Sequence, residues 1–275
     1  MHTIRRPAVA GAFYPGSRQE LAENIEMLLD AAVQDSDQSI DQAPPKAIVV
    51  PHAGYIYSGQ TAAMAYARLA AARQTIKRVV LLGPVHRVPV RGLALPGVDA
   101  FVTPLGEIEL DKAAIALLAG MKQVVVSPAV HAQEHSLEVQ LPFLQSVLDN
   151  FKLVPLAVGD ATPAEVAQVL DVLWGGPETV IVVSSDLSHY LPYADAKAVD
   201  QQTAQNILGM KVSLTHSQAC GGTPVNGLVL AARKHRLHPM LLDLCNSGDT
   251  AGDRSRVVGY ASFVFMEEAS HVRHT

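Results

Sequence analysis

The sequence predicts an α/β fold: a single domain with a central, largely parallel or mixed sheet flanked by helices. Three observations carry that expectation. Four short runs, "AIVV" (47–50), "RVVLLG" (78–83), "KLVPLAV" (152–158) and "TVIVVSS" (179–185), are β-branched or Leu-rich without polar alternation, as in strands covered on both faces. Helical patterns fall between them, which is the alternation of an α/β layer structure. No Gly/Ser or Pro-rich linker and no internal repeat divides the 275 residues, 49% of them hydrophobic and 17% charged, so residues 1–268 are expected to form one domain.

The elements follow in order along the chain. Residues 32–46, "AVQDSDQSIDQAPPK", have the polarity of a surface loop, and "AIVV" is the first buried strand. "SGQTAAMAYARLAAA" (58–72) opens on a Ser/Gly pair and is alanine-rich, as a helix would be. After the strand at 78–83, "LPGVDAFVTPLGEIELD" (95–111) has the turn residues of a hairpin. "SLEVQLPFLQSVLDN" (136–150) is expected to be a helix capped by Ser136. "TPAEVAQVLDVLW" (162–174) carries a stronger start signal, with Thr162 at the cap, Pro163 first in the helix and Glu165 at its third position. A helix over 195–209 ends at Gly209, and another enters at Thr223-Pro224 and runs through Arg233. "PMLLDLCNSGD" and "RVVGYASFVFME" are two further strands around a Gly/Asp-rich loop, and the tail 269–275 is expected to fray.

Composition removes several function classes. A net charge of -5 and only 5% aromatic residues oppose binding to nucleic acid, which needs basic surface and stacking platforms. No run approaches the ~18 apolar residues that cross a bilayer, and "MHTIRRPAVAGAFYPG" has no apolar stretch of the signal-peptide kind. With two cysteines, Cys220 and Cys245, the chain is no disulfide scaffold, and a cytoplasmic location is expected.

Histidines recur where strands end. "AIVVPH" delivers His52, "VVLLGPVH" delivers His86, and "IVVSSDLSH" delivers Asp186 and His189. Ligands of open α/β sheets bind beyond the carboxyl ends of the strands, so these side chains are candidates for one shared site. Tyr55 and Tyr57 could line it or pack the following helix. "HAQEHSLE" adds His131, Glu134, His135 and Glu138. If helical, His131 and His135 would share a face at the spacing of paired metal ligands, and the segment fits H-x-x-E-H. Ser127-Pro128 just before it argues instead for a loop entering the next helix.

Cys220, in "ACGGTP", stands near a helix start, where a thiol's pKa falls and it can serve as nucleophile or ligand. A small buried residue in a Gly turn explains it equally well, and Cys245 is expected to be inert core. Asp249 follows a strand end as the histidines do. There is no Walker loop, no G-x-G-x-x-G and no G-x-S-x-G, which withdraws support from nucleotide hydrolysis, dinucleotide binding and serine-hydrolase chemistry. Two imidazoles and one carboxylate with open positions suit non-haem Fe(II). Zinc or copper could use a similar set, and His135, His189, Asp186 and Glu134 would supply general acids and bases.

"RPAVAGAFYPG" (6–16), "PHAGYIYSG" (51–59), "LGPVH" (82–86), "EHSLEVQLPFL" (134–144), "VVSSDLSHY" (182–190) and the "CGGTP" to "NSGD…VVGYA" region together resemble the Memo family. The match runs in order over roughly residues 4–266. The resemblance implies a fold similar to that of class III extradiol ring-cleaving dioxygenases, which hold non-haem iron with two histidines and a carboxylate. It implies a metal pocket lined by His52 and His86, an acid/base His189 beside Asp186, and a third ligand in the last loop. A gapless comparison puts Thr250 at that third position. Threonine is a poor ligand, and the neighbouring Asp249 is therefore the expected one. The resemblance also implies a dioxygenase-like oxidoreductase acting on a small oxygenated substrate, or a protein that keeps the pocket only to bind metal or peptide. Prokaryotic members are associated with radical-SAM and AMMECR-type proteins, which are the implied pathway partners.

Overall fold

The computed structural model describes residues 2–34 and 43–268. Its elements begin with β1 (Ile4–Arg5), α1 (Arg18–Gln34), β2 (Ala47–Val50) and α2 (Tyr55–Tyr66), the last continuing as a 3-10 turn over Ala67–Ala72. Then come β3 (Arg78–Pro84), β4 (Leu93–Leu95), β5 (Ala100–Thr103), β6 (Gly106–Glu109), α3 (Lys112–Ala116), β7 (Val124–Val126), α4 (Pro128–Ala132) and α5 (Leu141–Val147). The second half holds β8 (Lys152–Val158), α6 (Pro163–Leu173), β9 (Thr179–Ser184), β10 (His189–Leu191), α7 (Tyr193–Leu208), α8 (Gly222–Lys234), β11 (Leu237–Asn246) and β12 (Val257–Glu267).

All four of the strands expected from unbroken apolar runs lie in one nine-stranded mixed sheet, ordered β10-β12-β2-β9-β3-β8-β4-β7 with β11 on β12. Its centre, β2-β9-β3-β8, is parallel; β12 and β11 extend it in antiparallel sense. The absence of alternation has a direct packing cause. In β3, Val79 and Leu81 enter one core layer with Leu21, Ile25, Tyr66 and Phe143, while Val80 and Leu82 enter the other with Val169, Leu170 and Leu228. Each face is covered by helices, so the side chains from Val79 to Leu82 are all apolar. Burying one such Leu or Val side chain contributes roughly 1.5–3 kcal/mol. The sheet and its two helical layers make a single α/β domain.

Local chemistry explains the element ends. Thr162 Oγ1 accepts from Glu165 N at 3.2 Å and Glu165 Oε2 accepts from Thr162 N at 2.7 Å, completing the capping box at α6. The expected hairpin is present as β5–β6, which joins β1 in a small separate sheet. Pro155 is tolerated inside β8 because β4 joins that strand only at Ala157 and Val158.

Two helices differ from expectation. The segment expected as one helix over 136–150 is a 3-10 turn (Glu138–Gln140) followed by the short α5, and Ser136 caps neither. Its hydroxyl instead donates to the Pro84 carbonyl at 2.7 Å. The expected polar loop at 32–46 is partly helix, since α1 runs to Gln34; the rest of it, at 35–42, and the tail at 269–275 lie outside the described residues. Among the described residues no helix is long and apolar enough to cross a membrane.

Candidate metal centre

The parallel centre of the sheet brings three strand ends abreast: Val50 of β2 is level with Ser184 of β9, and Val183 of β9 with Leu82 of β3. The loops leaving those ends carry His52, Asp186 and His86 to one place. The rings of His52 and His86 are 5.2 Å apart, and His135 lies 5.4 Å from the first and 4.6 Å from the second. Cys220 reaches them from the turn before α8, its Sγ 3.3 Å from His52 Nε2. One ligand atom from each of His52, His86 and Cys220 falls within 4.8 Å of the others, a spacing that a single metal ion can bridge.

Glycine makes the approach of Cys220 possible. A Cβ on Gly221 would stand 2.6 Å from Ser185 Cβ and 2.7 Å from the Ser184 carbonyl, so no other residue lets this turn lie against the end of β9. Gly54, by contrast, has an ordinary backbone (φ -58) and room for a methyl group; it caps α2 without being required under His52.

Each imidazole is gripped from behind. His86 Nδ1 faces Glu134 Oε1 at 2.9 Å, and His86 N donates to Glu134 Oε2 at 2.6 Å. The same carboxylate accepts from His135 N and Ser136 N, each at 2.9 Å. These contacts, His86 first among them, outweigh burial and hold Glu134 down to about 2. His86, Glu134 and His135 also meet the spacing of a ligand set. With four N–H groups already on its two oxygens, however, Glu134 orients the imidazoles and has little left to offer an ion. His52 Nδ1 lies 2.8 Å from Ser184 Oγ. Burial, with His135 and His86 adding to it, pushes His52 well below the usual histidine range, so it is neutral. Phe13 packs its ring 4.9 Å from that of His135.

Asp186 lies beneath His52, accepting its backbone N–H at 2.7 Å, with Oδ2 3.9 Å from Nε2. Burial raises its pKa against that hydrogen bond. His189 hydrogen-bonds the Leu187 carbonyl through Nδ1 at 2.9 Å, which leaves Nε2 bare because a carbonyl can only accept. His86, His189 and Cys220 line a cleft of about 770 Å³ together with Tyr190, Leu191, Val199 and His216. A larger cleft, about 870 Å³, lies at the opposite, amino end of β3 and β8. It holds the ion pairs Arg78–Asp111 and Lys152–Glu109, and none of the clustered histidines lines it.

One expectation is corrected, and two open alternatives are decided. Asp249 is not among the clustered donors: it is exposed, its Oδ2 accepts from Asn246 N at 3.1 Å and its other oxygen from the Tyr193 hydroxyl. The carboxylate caps the 3-10 turn Ser247–Asp249 instead, and Thr250 is exposed beside it. The third member of the candidate donor group is Cys220, for which a lowered thiol pKa at a helix start and a small buried residue in a Gly turn were equal expectations. Burial, reinforced by Asp186, pushes the thiol pKa up. As Ser127-Pro128 argued, His131 and His135 do not share a helical face: α4 ends at Ala132 and a loop follows. His131 turns away, fully buried, to hydrogen-bond the Ala94 carbonyl at 2.7 Å. Cys245 is half-buried beside Thr61, away from the cluster, as expected of an inert position.

Sequence reasoning named Glu138 without a role and passed over Arg5; the two stand together behind this cluster. Glu138, wholly buried, accepts from Arg5 and from Ala8 N, Val9 N and Tyr14 Oη. Arg5 in turn donates to the carbonyls of His131 (3.0 Å) and Glu134 (2.7 Å). A charged residue inside "SLEVQL" was the available signal, since a lone acid among apolar neighbours is rarely buried unless paired.

The donor set can be tested for fit to a metal. Two imidazoles, one of them neutral and buried, and one thiol form a soft to borderline set suited to Cu, Zn or Fe and unsuited to Mg or Ca. The buried thiol stays protonated on its own and ionises when a cation faces it. The residues fit a transition-metal ion.

The chain is similar to several known proteins. A solved structure of an uncharacterized protein from Escherichia coli K12 matches with a TM-score of 0.48 at 13% identity, covering 79% of this chain and 98% of that one. The MEMO1 family protein of Archaeoglobus fulgidus is 36% identical over 95% of this chain and 99% of its own. The MEMO1 family protein of Aquifex aeolicus is 35% identical over 96% and 99%. The sequence model described as Memo-like protein matches residues 5–264, nearly the full chain. The chain belongs to the Memo-like protein family.

Proposed function

We propose that this protein holds a thiophilic transition-metal ion at His52, His86 and Cys220 and acts, as a dioxygenase-like oxidoreductase, on a small oxygenated molecule in the adjoining cleft. The observation that carries this reading is the convergence of those three donors within 4.8 Å beside an open cleft. Iron is the ion implied by the resemblance; copper and zinc suit the same donors. When bound, the ion would supply Lewis acidity and, if redox-active, one-electron chemistry.

The chain's own groups supply the rest. His52 and His86 are held from behind by Ser184 and Glu134. His189 presents a bare Nε2 to the cleft and can take a proton from a bound hydroxyl. Asp186, its pKa raised by burial, can give or receive a proton next to His52. Tyr190 and Leu191 line the same cleft and would contact a bound molecule. Radical-SAM and AMMECR-type proteins would act in the same pathway.

The test is an anaerobic titration of metal-free protein with Fe(II), Cu(I) and Zn(II), followed by O2-uptake measurements with catechol-like substrates. One equivalent of an ion should bind, Cys220→Ser should weaken it at least tenfold, and Asp249→Asn should leave it within twofold. Absence of stoichiometric binding, or loss in Asp249→Asn alone, overturns the site. A second reading, a metal- or peptide-binding protein without turnover, is favoured by the third candidate donor being a thiol, whereas the resemblance implies a carboxylate. Binding without any O2 uptake above that of a His52→Ala/His86→Ala variant would select it.

A further inference from the structure

We infer that Ser184 is a positioning residue: with Gln140 and Tyr66 behind it, it fixes His52 in the Nδ1–H tautomer and so aims a bare Nε2 at Cys220. The inference rests on the proposed metal centre only for its purpose; the tautomer itself follows from counting protons.

Ser184 is the last residue of β9 and has no exposed surface. Three groups surround its Oγ: the Ser136 carbonyl at 2.7 Å, Gln140 Nε2 at 2.9 Å and His52 Nδ1 at 2.8 Å. A hydroxyl has one proton and two lone pairs. The Ser136 carbonyl can only accept, so it takes that proton. The Gln140 amide is oriented by its other contacts. Its Nε2 lies 2.8 Å from the Pro51 carbonyl, again acceptor-only, while its Oε1 receives the Tyr66 hydroxyl at 2.9 Å. The NH2 group therefore faces Ser184 and fills one lone pair of Oγ. What remains for His52 is the second lone pair, which only an N–H can satisfy.

A neutral imidazole has a single N–H, so with Nδ1 protonated Nε2 is bare, and its lone pair faces Cys220 Sγ at 3.3 Å. The opposite tautomer would set the Nδ1 lone pair against an oxygen with no proton to give, inside a site that water does not reach to compensate. Every member of the relay is buried: Ser184, Gln140, Tyr66 and His52 are each no more than 1% exposed. Their packing leaves the chain of donors no alternative direction. The two imidazoles are thus backed differently. The more exposed His86 leans on a carboxylate, while the buried His52 leans on a neutral hydroxyl that adds no charge to the dry interior.

The experiment reads the tautomer in metal-free protein labelled with 15N-histidine, by long-range 1H–15N correlation. His52, assigned by its absence from a His52→Gln spectrum, should show a protonated Nδ1 and an unprotonated Nε2. In Ser184→Ala the second tautomer should appear, and Zn(II) affinity measured by chelator competition should fall 10- to 100-fold, the usual cost of losing an outer hydrogen bond to a ligating histidine. Ser184→Thr, which keeps the hydroxyl, should restore both. A wild-type spectrum with Nε2 protonated overturns the inference without any variant, and so does a Ser184→Ala protein whose tautomer and affinity are unchanged. If wild-type protein shows the stated tautomer but binds no metal ion, the metal centre fails and the relay stands.

Discussion

Replacing Glu138 by Gln keeps the volume of the side chain and removes its charge, which makes it the sharpest test of the network that fastens the N-terminal segment to the site. The wild-type carboxylate is wholly buried and receives four donors: an Arg5 guanidinium N–H, Ala8 N, Val9 N and Tyr14 Oη. In Glu138→Gln one of the two oxygens becomes NH2, so two of the four donors face another donor. The Arg5 side chain, 5% exposed, also loses its counter-charge. Breaking a buried ion pair at one end typically costs about 3–5 kcal/mol, most of it from the charge left behind. For a chain of this size that corresponds to a fall in Tm on the order of 10 °C. Urea unfolding followed by Trp174 fluorescence and by circular dichroism would measure it, with the m-value checked for constancy. A loss below about 1 kcal/mol with unchanged m would refute the reasoning, because it would mean that Arg5 finds water or another partner at no cost. Arg5 also holds the carbonyls of His131 and Glu134, so the same variant should bind metal more weakly.

Other perturbations give smaller or more local effects. Burial, against the hydrogen bond to Ala94, holds His131 down to about 4 from an unfolded value of 6.5. Between those values the unfolded chain binds a proton that the folded chain does not, so stability should be full above pH 6.5 and fall by about 3 kcal/mol on acidification to pH 4. A His131→Gln variant should show a flatter dependence of unfolding free energy on pH across that window, and an unchanged slope would exclude the assignment. Thr162→Ala removes the cap of α6 and should cost about 1 kcal/mol in chemical denaturation, with metal binding untouched. Gly221→Ala should fold with its Cys220 turn displaced from β9, because the added methyl would lie 2.6 Å from Ser185 Cβ; retention of wild-type Zn(II) affinity would contradict the role given to that turn.

The sheet could be read directly from the chain because unbroken runs such as "RVVLLG" occur where both faces of a strand are covered, and that condition is local to the strand. Strand ends could be read as well. With them came the placement of His52, His86 and the Asp186–His189 loop at one edge, since parallel neighbours end on the same side. The cap of α6 was legible because a capping box is contained within four residues. What the chain could not specify was which distant loop completes the cluster. Asp249 and Cys220 each adjoin a glycine in a turn, and only packing distinguishes them: Asp249 is taken by the backbone N–H of Asn246 and by Tyr193, while Gly221 lets Cys220 lie against β9. The helix expected from Ser136 failed for a related reason, as its hydroxyl and the Glu134 carboxylate are committed to β3 and His86. Ser184 and Gln140 read as ordinary residues of a strand end and a turn, and Glu138 as a candidate without a partner. Their roles depend on partners 44 or more positions away in sequence, and hydrogen-bond direction is decided by the whole set of donors and acceptors that tertiary packing assembles around each buried atom.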